Sequence, residues 1–173
     1  MTGCTPYGVA HTLLALMVAE LADTAAGVPA IRAVEPKPVA TMEDCDQAWT
    51  SVATVGPFGE DADVSRCALQ YLVTIHAGVY RCYPTADQNA RPAEALINSA
   101  VRDKLDDMEA MRRAIVKLAE DPYIGAVNIG AWTPLGPLGA RHGGYWRVPV
   151  VMDLGQFSSA VVPRQPGDPH AAG

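Results

Sequence analysis

Charge is scarce in this 173-residue chain: 18% of its residues are Asp, Glu, Lys or Arg, against about 25% in an ordinary soluble domain. Hydrophobic residues make up 49%, so disorder is excluded as a reading of the whole chain. Two explanations fit the shortage of charge, an Ala- and Val-rich genome or a surface largely covered by other subunits. Basic runs are missing too. Arg112-Arg113 is the densest cationic cluster, acids surround it, and the net charge is −6. Tight binding of nucleic acid through phosphate contacts is thereby excluded, although an acidic wall beside passing DNA is compatible.

Other absences narrow the chemistry. The cysteines at 4, 45, 67 and 82 form no CxxC pair and no zinc-ligand spacing. They read as buried, reduced thiols suited to a reducing cytoplasm. The histidines at 11, 76, 142 and 170 offer no HxH, HExxH or HxxxH spacing, so no metal site is expected within one chain. Glycines at 136, 139, 143 and 144 form neither a P-loop nor a dinucleotide fingerprint. No basic region precedes His11–Ala25, which is too short and too interrupted by Glu20 and Asp23 to cross a bilayer. The expectation is a soluble protein with no visible export signal and no membrane contact.

What the chain does contain is an architecture. A chain of this length should bury roughly 70% of its unfolded surface, so a core needs neither disulfide nor metal. From Cys67 to Tyr83 the odd positions run Cys67, Leu69, Tyr71, Val73, Ile75, Ala77, Val79, Arg81, Tyr83, while Gln70, Thr74 and His76 lie among the even ones. Strand side chains alternate faces, so this is one long strand with a core face and a wetter face. After Pro84 and a polar linker, Ile97, Val101, Leu105, Met108, Met111, Ile115 and Leu118 recur at steps of three and four. Arg102, Asp103, Asp106, Asp107, Glu109, Arg113 and Lys117 occupy the other face, which predicts an amphipathic helix with a salt-laced solvent side.

The remaining elements are shorter. His11–Ala25 predicts a first helix stopped by Gly27 and Pro29. Ala30–Val34 and Trp49–Val55 predict strands, as do Ile124–Trp132 and Tyr145–Leu154. Residues 133–144 read as a long glycine- and proline-rich loop bracketed by Trp132 and Trp146, suited to an interaction arm. Residues 155–173 are a Pro/Gly-rich C-terminal arm. The expected fold is therefore α+β: an antiparallel or mixed sheet of four to five strands, two main helices packed on one face, an extended hairpin loop and the arm. Residues 1–154 form the single domain.

Catalytic constellations are weak. A cysteine nucleophile such as Cys45 or Cys82 would need His76 or His142 as base. Six residues of extended chain, roughly 20 Å, separate His76 from Cys82, and the acids before Cys45 disfavour a thiolate. Asp106-Asp107 and Glu60-Asp61-Asp63 carry no clearer carboxylate site.

The element order, with Gly78-Val-Tyr-Arg-Cys-Tyr-Pro84, Leu105-Asp-Asp-Met108, Arg112-Arg113-Ala114-Ile115, Ala131-Trp-Thr-Pro-Leu-Gly-Pro137 and Gly143-Gly144-Tyr-Trp146, resembles the tail terminator proteins of long-tailed siphophages infecting actinobacteria. The resemblance covers about Trp49 to Leu154. It implies an α+β subunit, with no catalytic residue and no cofactor, six copies of which form a ring that caps the tail tube and stops its polymerisation. The implied partners are other copies of the chain, the major tail tube protein and the stopper of the head connector. DNA passes through the lumen without specific binding. The implied location is the tail–neck junction of the virion, after assembly in the host cytoplasm. On that basis Trp132, Leu135, Leu138, Arg141, His142 and Trp146 are expected at an interface, and Gln70, Thr74 and His76 toward the lumen. A head-side stopper or adaptor is the neighbouring alternative, and a cysteine-dependent enzyme the distant one.

Overall fold

The computed structural model describes residues 5–37, 45–58, 70–85, 92–122, 124–138 and 140–153. Two helices pack on one face of a five-stranded mixed sheet, an α+β fold. The first helix, α1 (Pro6–Leu21), starts earlier than its apolar periodicity suggests. Thr5 caps it, its hydroxyl accepting from the Gly8 amide at 3.0 Å, and Pro6 sits where a missing N–H costs nothing. It also ends before Ala25, because the Thr24 hydroxyl donates to the Leu21 carbonyl at 2.8 Å and closes the last turn.

Five strands follow: β1 (Ile31–Glu35), β2 (Gln47–Pro57), β3 (Gln70–Cys82), β4 (Trp132–Leu138) and β5 (Arg141–Asp153), with α2 (Glu94–Ala119) between β3 and β4. Their order across the sheet is β1-β2-β3-β5-β4. The β1–β2 pair is parallel and all others antiparallel. The register of β2 on β3 slips between Val52 and Thr54, a bulge at Ala53.

The odd positions of the central strand face the helices as their alternation requires. Val73, Ile75, Ala77 and Val79 of β3 are buried with Val148, Val150 and Met152 of β5 beneath Leu13, Met17, Met111, Ile115 and Leu118. Each fully buried side chain of that size contributes about 1.5–3 kcal/mol. The amphipathic stripe of α2 is only half used. Met111, Ile115 and Leu118 are in the core, whereas Val101 and Leu105 are 46% and 50% exposed.

The region between the two tryptophans departs most from expectation. It is not a long loop but a tight β4–β5 hairpin, with Trp132 opposite Trp146 and Leu138 opposite Arg141. The segment before it, expected as a strand over 124–132, is irregular. It still runs along β5, with Val127 bridged to Val150 and the Asn128 and Gly130 amides donating to Pro149 and Arg147 carbonyls at 2.9 Å. Pro134 and Pro137 look like loop residues in sequence. An edge strand tolerates them, because only one of its sides needs backbone donors. The expected arm 155–173 lies outside the described residues.

Candidate functional site: a cleft at the hairpin end of the sheet

The β2–β3 register sets Gln47 opposite Tyr80. Two residues outward on each strand, Cys45 then meets Cys82, and the two are joined in a disulfide with Cα atoms 4.8 Å apart. This corrects the reading of both as buried, reduced thiols: Cys82 is exposed and Cys45 half-buried. Bonded to each other, neither is a free nucleophile. Cys4 and Cys67 lie outside the described residues.

Beside the disulfide stands Arg81, an arginine at a core-facing position. Its Nε and Nη2 donate to the two carboxylate oxygens of Asp107 on α2, each at 2.9 Å. Its Nη1 donates to Asp46 Oδ1 at 2.9 Å and to the Ala26 carbonyl at 3.4 Å, and Nη2 also to the Gly27 carbonyl at 2.6 Å. One guanidinium thus joins the α1–β1 connection, the start of β2, the end of β3 and the middle of α2. Asp107 is 2% exposed, so it does not belong to the solvent face on which the helical pattern places it. Burial pushes its carboxyl above the usual aspartate range, with Arg81 pulling the other way. Burial likewise works against charge on Arg81, but Asp107 and Asp46 more than offset it and raise its pKa.

Asp46 occupies the left-handed region at φ 70°, a conformation Asp tolerates better than most residues. Its second carboxylate oxygen accepts from the Ala30 amide at 3.0 Å, and its carbonyl accepts from the Ile31 amide at 3.2 Å. The corner that carries it is therefore held by a disulfide, an ion pair and two backbone bonds.

These groups line an open cleft of about 420 Å³ between the N-terminal half of α2 and the end of the sheet. His142 of β5 also lines it, 4% exposed, with Tyr83 edge-on at 5.4 Å between ring centroids. Burial, reinforced by Lys104, lowers the His142 pKa, so the ring is neutral near pH 7.

The other expected site residues are dispersed. Trp132 and Trp146 form a half-buried pair at 5.6 Å on the helix side, with Trp146 Nε1 donating to the Met108 carbonyl at 3.1 Å. Trp132 lies across Gly144, where a Cβ would overlap its ring. Leu135 packs on the opposite, helix-free face against Trp49 and Tyr80. Arg141 is partly buried and is engaged within the protein; for Leu138 only the backbone pairing is described. The proposed interface set thus mixes both faces and includes one fully buried member, His142. Of the lumen candidates, Gln70 is exposed, Thr74 is buried at 7%, and His76 is half-buried with its ring 4.8 Å from Tyr145.

An aromatic cluster on the helix-free face went unread in the sequence. Trp49 and Tyr80 are both 0% exposed there, at 5.8 Å, with Tyr145 beside them. Trp49 lies flat on Gly78, its partner across the strands, where a Cβ would come within 2.5 Å of the indole. The available signal was that glycine in the middle of a strand, since an interior strand glycine marks a close approach. Burial pushes the Tyr80 phenol up to about 12. Trp49 Nε1 is buried without a hydrogen-bond partner among the described residues.

Among the described residues no cluster of His, Cys, Asp and Glu could hold a metal ion, and no helix is long and apolar enough to cross a membrane. Compared with known proteins, the chain matches no family model and no curated protein.

Proposed function

We propose that this chain is the tail terminator of a long-tailed siphophage. Six copies close into a ring that caps the tail tube, stops its polymerisation and joins it to the head connector. The observation that carries this reading is a sheet that ends in two unlike strands, β1 and β4, on a subunit with exposed apolar side chains near each. Ile31 on β1 is 39% exposed, and Ile129, just before β4, is 42% exposed. Two dissimilar surfaces on opposite sides of one subunit suit heterologous contact, which closes into a ring when the rotation permits. The half-used stripe of α2 adds Val101 and Leu105 to the surface that such closure would cover.

Particles assembled without this protein test the reading by electron microscopy of tail lengths. Over-long tubes detached from filled heads are the expected result. Tails of normal length that fail to join heads would move the assignment to the head-side connectors, and unchanged virions would refute both.

A further inference from the structure

We propose that the cleft between α2 and the hairpin end of the sheet binds an alkyl-borne cation, the guanidinium or ammonium of a basic side chain presented by a partner protein. The inference concerns this chain alone and does not rest on the ring reading. At about 420 Å³ the cleft falls within the range of about 300–1,000 Å³ typical of ligand sites.

What the cleft offers is decided by which charges reach it. Arg81 is a lining residue, but its side chain is 8% exposed and every N–H of its guanidinium is committed to Asp107, Asp46, Ala26 or Gly27. It has nothing left for an anion. The carboxylates of Asp46 and Asp103 line the same space at 38% and 25% side-chain exposure. Of the charged side chains that line the cleft, the accessible ones are therefore negative; the Lys104 cation lies outside the lining but close enough to act on His142.

A second feature is independent of those acids. His142 is 4% exposed and lines the cleft; its ring nitrogens make no hydrogen bond among the described residues and are not sealed from solvent, so they face the cleft. A polar group so placed gains from a ligand that completes its bonding, and a neutral imidazole supplies one acceptor nitrogen to an N–H donor. At the rim, Leu96 is 54% exposed and Pro84 stands nearby, an apolar track for the methylene stem of a basic side chain. Asp103 is held only loosely, by Arg102 at 3.7 Å with that arginine 65% exposed, so an incoming cation displaces a weak surface pair. A bare divalent ion fits poorly, since no metal-ligating cluster exists among the described residues.

Saturation-transfer NMR on the full chain tests this, with N-acetyl-arginine amide as probe, N-acetyl-norleucine amide as the neutral control and spermidine as the free polycation. The arginine probe is expected to saturate at roughly millimolar concentration, with no saturable signal from the control. Asp103→Asn, a helix-surface change compatible with folding, should weaken binding about tenfold, the worth of one charge-assisted bond. Leu96→Ala should weaken it about twofold. Equal signals from arginine and norleucine, no saturation by roughly 10 mM, or unchanged affinity in Asp103→Asn would overturn the site. Tighter saturation by spermidine than by arginine would overturn the partner side chain and assign the cleft to free polyamines.

Discussion

Replacing Asp107 by alanine tests whether the Arg81 hub holds the fold together. Asp107 is 2% exposed and receives two of the guanidinium's bonds at 2.9 Å. Removing one partner of a buried ion pair costs about 3–5 kcal/mol, because the other charge is left behind. In Asp107→Ala the stranded arginine keeps Asp46 and the carbonyls of Ala26 and Gly27, so the loss should sit at the lower end, about 3 kcal/mol. Arg81→Met leaves Asp107 with no cation and strips Asp46 and both carbonyls of a donor. Its loss should reach about 4–5 kcal/mol. The double variant Arg81→Met/Asp107→Leu removes both charges and should be more stable than Arg81→Met alone. For a chain of this size the Asp107→Ala loss corresponds to roughly 6–12 °C in Tm. Urea unfolding followed by tryptophan fluorescence and far-UV circular dichroism measures all three, with the denaturant slope expected to stay constant. A loss below about 1 kcal/mol in Asp107→Ala, or strict additivity in the double variant, would refute the hub.

Three further outcomes follow from particular contacts. Cys82→Ser opens a loop between residues 37 apart in sequence, and should cost roughly 2–4 kcal/mol in the same urea assay; mass spectrometry of the alkylated, unreduced wild type should show Cys45 and Cys82 protected. Gly78→Ala drives a Cβ to 2.5 Å from the Trp49 ring, with an expected cost of about 1–3 kcal/mol and a red-shifted tryptophan emission. Stability should also fall with acid in two windows. His142 has its folded pKa pushed below its ordinary 6.5 by burial and Lys104. The unfolded chain therefore takes up its proton first, and stability is lost as pH drops from 6.5 toward the lower folded value. Glu20, held below its ordinary 4.5 by hydrogen bonds from Arg113 and Lys117, contributes stability above that value and loses it as pH falls through the folded pKa. Urea midpoints across pH should show both windows, the first flattened in His142→Gln and the second in Glu20→Gln.

Periodicity made most of this fold legible. The alternation of β3 named its core face residue by residue, and the second half of α2 buried the positions its spacing selected. The failures share a cause: each depends on a partner that one segment cannot reveal. The Cys45–Cys82 bond follows from the β2–β3 register, which neither strand's own residues reveal. Asp107 reads as one more acid on a charged helix until Arg81 is placed beneath it. Yet Arg81 stood at a core parity, and an arginine there demands a buried carboxylate; that signal was present and unread. The β4 strand was masked by Pro134, Gly136 and Pro137, whose loop character in sequence is compatible with an edge.

The cleft was invisible for the same reason, since its walls come from the α1–β1 connection, two strand ends and the first turns of α2. Its rigidity follows from what lies under it. Arg81 spends every donor on three other segments, and the disulfide fixes the corner that carries Asp46. The Asp46 carboxylate above is thus held in place before any ligand arrives, while Asp103 carries only a loose surface pair. A site whose polar groups are already positioned loses less ordering entropy on binding than one that must assemble them. The cation reading draws on Asp46, Asp103, His142 and the rim at Leu96, and the ring reading on the sheet edges with Val101 and Leu105 of α2. Failure of either leaves the other standing.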